Sequence, residues 1–128
     1  MSNPISNYLG VHAAALPLRE QRMQLIASNL SNADTPNFKA KDLDFQAALE
    51  QAAAKAAPLR GTNEQHMTLL NASPRLFERE GVQPSLDGNT VDADTERAAY
   101  GRAALEYRAS LSFIESKVRT MLTAITGQ

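Results

Sequence analysis

The sequence contains no cysteine and no tryptophan, and aromatic residues fill only 5% of its 128 positions. Without cysteine there is no disulfide, no thiolate nucleophile and no Cys-ligated zinc. Large rings, which bring the most apolar area into a core, are scarce. Alanine, which brings little, occurs 21 times. Such a composition favours slender helices over a thick sheet-based core. It also makes a self-sufficient globule hard to build at this length, because small chains bury the smallest share of their surface.

An excess of charge is missing too. Thirteen Lys and Arg face fourteen Asp and Glu, for a net charge of −1. No surplus of cations is available to neutralise nucleic-acid phosphates or to hold an anionic membrane surface. No apolar run approaches the roughly 18 residues that a membrane span requires. The first ten residues carry no basic stretch before an apolar one. The expectation is therefore no cleaved secretory signal, and a cytosolic protein or one exported by a machine that needs no cleavage.

What is present is periodicity at both ends. Alternate steps of four and three from Tyr100 reach Ala104, Tyr107, Leu111, Ile114, Val118, Met121 and Ile125, all apolar. A seam of this kind belongs to a helix that packs along its length on another helix. Asp92 is the expected N-cap. Asp94 and Glu96 suit the positive end of the helix dipole, and Gly127 is a natural stop. The same stepping from Ile5 reaches Leu9, His12, Leu16, Arg19, Met23, Ile26, Leu30 and Ala33, with His12 and Arg19 as the polar exceptions. Pro17 interrupts this run and predicts a kink there. Arg19 and Arg97 are expected to pair with a carboxylate (Glu20, Glu96 or Glu106) across a subunit contact or to reach water, the second being favoured.

Between the ends lies Pro- and Gly-rich sequence. Residues 38–45 read as extended. Asp44 can cap a short Ala-rich helix over about 45–57, ended by Pro58. Residues 59–90 read as a long irregular loop with one helical turn near Glu64–Leu70, and 75–83 should tolerate deletion. The fold class is therefore mainly α: long terminal helices packed antiparallel as a coiled-coil-like pair, with an extended segment, a short helix and a loop between them. Residues 1–34 form the N-terminal helix, 35–91 the middle, and 92–128 the C-terminal helix. The two ends make one domain.

Catalytic and metal-binding patterns are wanting. The two histidines, His12 and His66, have no matched ligand spacing. Asp87, Asp92, Asp94 and Glu96 lack the length and mid-loop glycine of a calcium loop and are read as capping groups. There is no Gly-rich phosphate loop and no nucleophile elbow. No enzyme, cofactor or metal is expected.

The most distinctive stretch is Asn29-Leu-Ser-Asn-Ala-Asp-Thr-Pro-Asn-Phe38. Asn29 or Asn32 can end a helix in the left-handed conformation. Asp34 and Thr35 can bond to local N–H groups, Pro36 extends the residue before it, and Asn37 tolerates positive φ. The physical reading is a rigid exit from a helix. With Ala27, Ser28 and Lys39–Ala40 around it, this stretch closely resembles the N-terminal motif of bacterial flagellar rod, hook and hook-associated axial proteins. A second block, Asp87–Arg97 followed by Leu105–Phe113, is similar to the C-terminal helix of the family's short proximal-rod members and its entry. Asn37 stands where many axial proteins have Gly, and Phe38 where they have Tyr.

The resemblance implies a building block. It assigns the axial motif to Asn29, Asn32, Ala33, Asp34, Thr35, Pro36 and Phe38. It implies type III export without signal cleavage and helical polymerisation into the basal-body rod. The partners it implies are further copies, rod proteins of the FlgC and FlgF type, an MS-ring adaptor of the FliE type and the flagellar export apparatus. It implies neither nucleic acid nor membrane insertion. The residues agree on mechanism: two apolar seams and a thin core leave a stripe to be covered by a neighbour. A soluble helical adaptor or export chaperone would use the same helices, but it leaves the Asn-Ala-Asp-Thr-Pro block unexplained.

Overall fold

The computed structural model describes residues 4–56, 74–81 and 85–127. Among these residues the order is α1 (Pro4–Ser31), β1 (Lys41–Leu43), α2 (Phe45–Ala56), β2 (Leu76–Glu78) and α3 (Ala93–Thr126). α1 packs against α3 and, on another face, against α2 and β1. The expected helical turn near residues 64–70 and the role of Pro58 lie outside the described residues.

α1 and α3 run antiparallel in constant register. His12 stacks on Phe113, Arg19 meets Glu106 and Asn29 meets Glu96, so that partner numbers total 125 in each case. Both helices rise 1.5 Å per residue, which keeps that total fixed along the pair. At 34 residues, α3 is about 51 Å long.

The expected kink is misplaced. α1 runs through Pro17 and bends instead at Gly10, where φ is 58° and ψ is −142°. That backbone conformation is essentially reserved for glycine. Pro17 is exposed, so the carbonyl it frees four residues back faces water on the same side and the helix can continue.

The face of α3 that meets α1 also differs from the apolar seam. Glu96, Ala103 and Ser110 are its buried residues. Small side chains let the two helix axes approach. Tyr100, Leu111, Val118 and Ile125 lie roughly a fifth of a turn away around the helix, and all four are exposed. On α1 the buried residues are Ala15, Leu18, Ile26 and Asn29. Leu18 is off the expected seam because it faces α2: it forms a small core with Leu43 and Ala48, backed by Leu25, Phe45, Leu49 and Ala52.

Among its described residues the middle holds α2 and a pair of strands. Asp44 accepts from the N–H of Ala47 (3.2 Å) at the start of α2, as its position before the Ala-rich stretch requires. β1 pairs antiparallel with β2, placing Asp42 opposite Phe77. The reading of 75–83 as dispensable is therefore corrected. Leu76–Glu78 is a strand, and Arg79 behind it carries an ion pair described below.

The chain leaves α1 through tight turns at Asn32, Ala33 and Thr35. Neither Asn29 nor Asn32 is left-handed. Among the described non-glycine residues only Asn37 is, with φ 61°. Gly88 crosses it at φ +74°, where an added Cβ would stand 2.7 Å from Asn37 Oδ1. Gly88→Ala should therefore cost about 1–3 kcal/mol through strain and crowding. The check is the urea midpoint, which should fall with an unchanged slope. A midpoint equal to that of the unaltered chain would mean the crossing is not constrained.

Candidate functional site

The two sequence blocks that stand out as motifs meet in space. Asn89 seats its side-chain amide over the end of α1: Nδ2 lies 2.9, 2.8 and 2.9 Å from the carbonyl oxygens of Asn32, Ala33 and Thr35. The carbonyls of Asn32 and Thr35 also accept turn N–H groups, from Thr35 and Phe38, and the amide adds a second donor at the helix end as a cap would. Its Oδ1 accepts from the N–H of Val91 at 2.8 Å. Alongside, Asn37 N–H donates to Asp87 and Thr90 N–H to Phe38, and the Thr90 hydroxyl accepts from the N–H of Ala40 at 2.8 Å. The entry to α3 is thereby laced to the exit from α1.

Asn29 anchors the next layer. It is 1% exposed, and it treats Lys41 as a strand partner would. Its Nδ2 donates to the Lys41 carbonyl (2.8 Å) and its Oδ1 accepts from the Lys41 N–H (2.9 Å). A buried amide making both bonds leaves neither backbone group of Lys41 unsatisfied. The same Nδ2 lies 3.4 Å from Glu96 Oε2.

A charge network continues from there. Arg22 forks onto Asp42 with bonds of 3.2 and 3.3 Å. Arg79 lies 3.8 Å from Asp42 and pairs with Glu96. Glu96 thus does not serve the helix dipole at the surface. It is 2% exposed and ties β2 to α3. Arg19 reaches Glu106 within the chain at 2.7 Å, which replaces the expectation that it would extend to water. Its guanidinium also lies 5.0 Å over the Phe45 ring. A cleft of about 430 Å³ opens here, lined by Arg22, Asp42, Arg79, Ala99, Arg102 and Glu106 among others. Its charges answer one another: Arg102 pairs with Glu106 at 3.3 Å.

Asp92 and Asp87 hold the turn into α3. Asp92 accepts from the N–H of Asp94 (3.0 Å) and Thr95 (3.2 Å), and its carboxyl is held below the usual range chiefly by the Thr95 N–H. Asp87 accepts from the Ser85 hydroxyl and the Asn89 N–H, the first having the greater part in lowering its pKa. A depressed carboxyl stabilises the fold above its unfolded pKa, and that contribution disappears as pH falls through the folded value. The melting temperature should hold between pH 7 and 5 and decline below about pH 4. Asp87→Asn with Asp92→Asn should narrow the gap to the unaltered chain as acid is added. Thermal melts across that range check it, and a gap constant with pH would count against the assignment.

The remaining motif residues fall in different places. Asp34, Thr35 and Pro36 are exposed on the outer turn, whereas Asn32, Ala33 and Phe38 are half-buried. Of the seam residues, Ile26 is buried. Leu9, Leu16, Met23, Leu30, Ala104, Tyr107, Ile114 and Met121 are half-buried. The side chain of Ile5 lies outside the described set. His12 is half-buried, its ring 4.2 Å from that of Phe113. No grouping of His, Asp and Glu that could hold a metal occurs among the described residues. None of the described helices is long and apolar enough to cross a membrane.

The apolar surface that remains is organised. Exposure rises along α3 from 37% at Leu111 and 39% at Val118 to 56% at Leu122 and 75% at Ile125. At its other end the stripe runs into a shallow groove between the helices, lined by Glu20, Met23, Gln24, Ala27, Tyr100 and Tyr107. A helix face of this kind is suited to another helix lying alongside.

Comparison with known proteins points the same way. The family described as "Flagella basal body rod protein" matches residues 9–39. The flagellar basal body rod protein FlgB of Aeromonas hydrophila is 43% identical, over 93% of this chain and 92% of the relative. Its namesake in Cereibacter sphaeroides (strain ATCC 17029 / ATH 2.4.9) is 41% identical over 94% of each. The one in Escherichia coli (strain K12) is 38% identical over 87% of each.

Proposed function

We propose that this chain, which belongs to the FlgB family of flagellar basal body rod proteins, builds the rod through the open apolar edge of its helix pair. It is a structural subunit of the flagellar basal body rod and not a catalyst. The observation that carries the proposed mechanism is the stripe on α3. Leu111, Val118, Leu122 and Ile125 are exposed on a helix whose small-residue face is already used by α1. Covering such a stripe with a neighbouring helix is worth about 25 cal/mol for each Å² of apolar surface removed from water. A contact of one face with a different face of the next copy does not close, and so it extends.

In this reading residues 1–34 and 92–128 act as one assembly unit, and the middle segment between them holds the pair in register. The neighbours are further copies, rod proteins of the FlgC and FlgF type and, at the base, an adaptor of the FliE type. The subunit reaches the periplasm-spanning rod through the flagellar type III apparatus without signal cleavage. An adaptor or chaperone role is not favoured, because the relatives are named for the rod itself.

The test is fractionation of basal bodies from cells carrying a tagged copy. The chain should co-purify with the rod and survive washing that strips loosely held proteins. Recovery only in soluble complexes with other exported proteins would favour the adaptor.

A further inference from the structure

α1 is bent at Gly10, and the register that pairs residue 12 with 113 carries on past the bend toward the last turns of α3. Residues 4–9 are helical on the far side of the bend. In the register totalling 125 they would lie against residues 121 to 116.

The bend rests on one residue. Gly10 has φ 58° and ψ −142°, a conformation that side-chain-bearing residues avoid. Nothing lies within 4 Å of where its Cβ would be. Glycine is therefore not required there by crowding. What it supplies is backbone freedom, and the helices on either side of it need no other change to become one.

We infer that Gly10 is a hinge, and that α1 has a second, straight form in which residues 4–9 lie along the last turns of α3 of the same chain. The sequence fits this form. Ile5 stands one heptad before His12 and Thr120 one heptad after Phe113, so in the straight form the two take up the relation already seen in the His12–Phe113 stack. Ile5 and Leu9 then stand opposite Thr120 and Ser116 in the register totalling 125. The stripe proposed for assembly stays open, because it is turned away from the side that α1 covers. The hinge thus lets the tips of the subunit change shape while the laced end holds.

The absence of cysteine allows a direct test in the full chain. Ile5→Cys with Thr120→Cys is oxidised at low concentration and read on a non-reducing gel, with Ile5→Cys and Arg119→Cys as the pair pointing off the face. Gly10→Ala disfavours the bent form, since a Cβ is strained at that positive φ and alanine favours the helix. The expected result is an intrachain cross-link in the on-face pair that forms at least five-fold faster with Gly10→Ala than with Gly10. Equal rates in the two backgrounds, equal rates in the two pairs, no cross-link, or cross-links only between chains would each overturn the hinge.

Discussion

A subunit carrying Leu111→Asp or Val118→Asp is expected to fold and to be lost from the rod. Both positions are more than a third exposed in the single chain, so the folded monomer meets the new carboxylate with water around it. Substitutions of that kind shift stability by about 0.5 kcal/mol or little more. The interface meets it differently. A carboxylate buried against apolar side chains with no partner costs several kcal/mol, on the order of a thousand-fold or more in association at each contact. A polymer repeats that loss at every joint. Motility in a strain carrying only the altered chain should disappear, while circular dichroism and the melting temperature of the purified subunit stay within about 3 °C of normal. Leu105→Asp supplies the contrast. Leu105 is 70% exposed but lies more than a third of a turn from the stripe by helix geometry, roughly 140°, and its replacement should leave motility intact. Ile114 is a poorer probe than the seam alone suggested. It is half-buried, so a charge there would confuse folding with assembly. Normal motility with Leu111→Asp and Val118→Asp together would remove the stripe from the mechanism.

The largest effect on stability is expected from Arg79→Ala. The Glu96 side chain is 3% exposed and its cation is Arg79. Removing that cation leaves a buried carboxylate with only the distant amide of Asn29. Breaking a buried pair from one side costs about 3–5 kcal/mol. Partial access of water to Arg79 brings the expectation down to about 2–4 kcal/mol. For a domain of this size that is a fall in melting temperature of roughly 8–15 °C. Glu96→Gln in the same chain should recover a large part of the loss, because the charge is then gone and an amide remains to bond. That recovery separates an ion-pair effect from simple damage to β2. A melting temperature unchanged by Arg79→Ala would show that the network does not hold β2 against the helices.

What the sequence made legible followed from local rules. The apolar period announced α1 and α3, Asp44 and Asp92 stood where helices need acceptors, and Asn37 took the positive φ its short amide tolerates. The bend was mislaid because two residues competed for it. Proline breaks the helix by what it lacks, but on a watery face that deficit is small, whereas Gly10 takes a conformation that other residues avoid. β2 was invisible because three residues, Leu76–Glu78, cannot display a period. Glu96 and Arg79 stand 17 positions apart, and nothing near either in sequence announces the partner. Asn89 could have been suspected, since an amide beside Gly88 at the mouth of a helix is suited to bonding backbone groups. The side of α3 that faces α1 was missed for a more general reason. Apolar period marks the face with most to hide, and in a part made for assembly that face need not be hidden within one chain.

The lacing at the start of α3 has a mechanical corollary. Oily surfaces resist being pulled apart but let one helix glide along another, since one contact is much like the next. The amides of Asn29 and Asn89 grip fixed backbone atoms on β1 and on the turn that follows α1, all near one pole. Lengthwise shear on the pair therefore loads that pole first. At the opposite pole, where α3 ends, no comparable grip on backbone atoms occurs among the described residues, and the pair is free to slide there first.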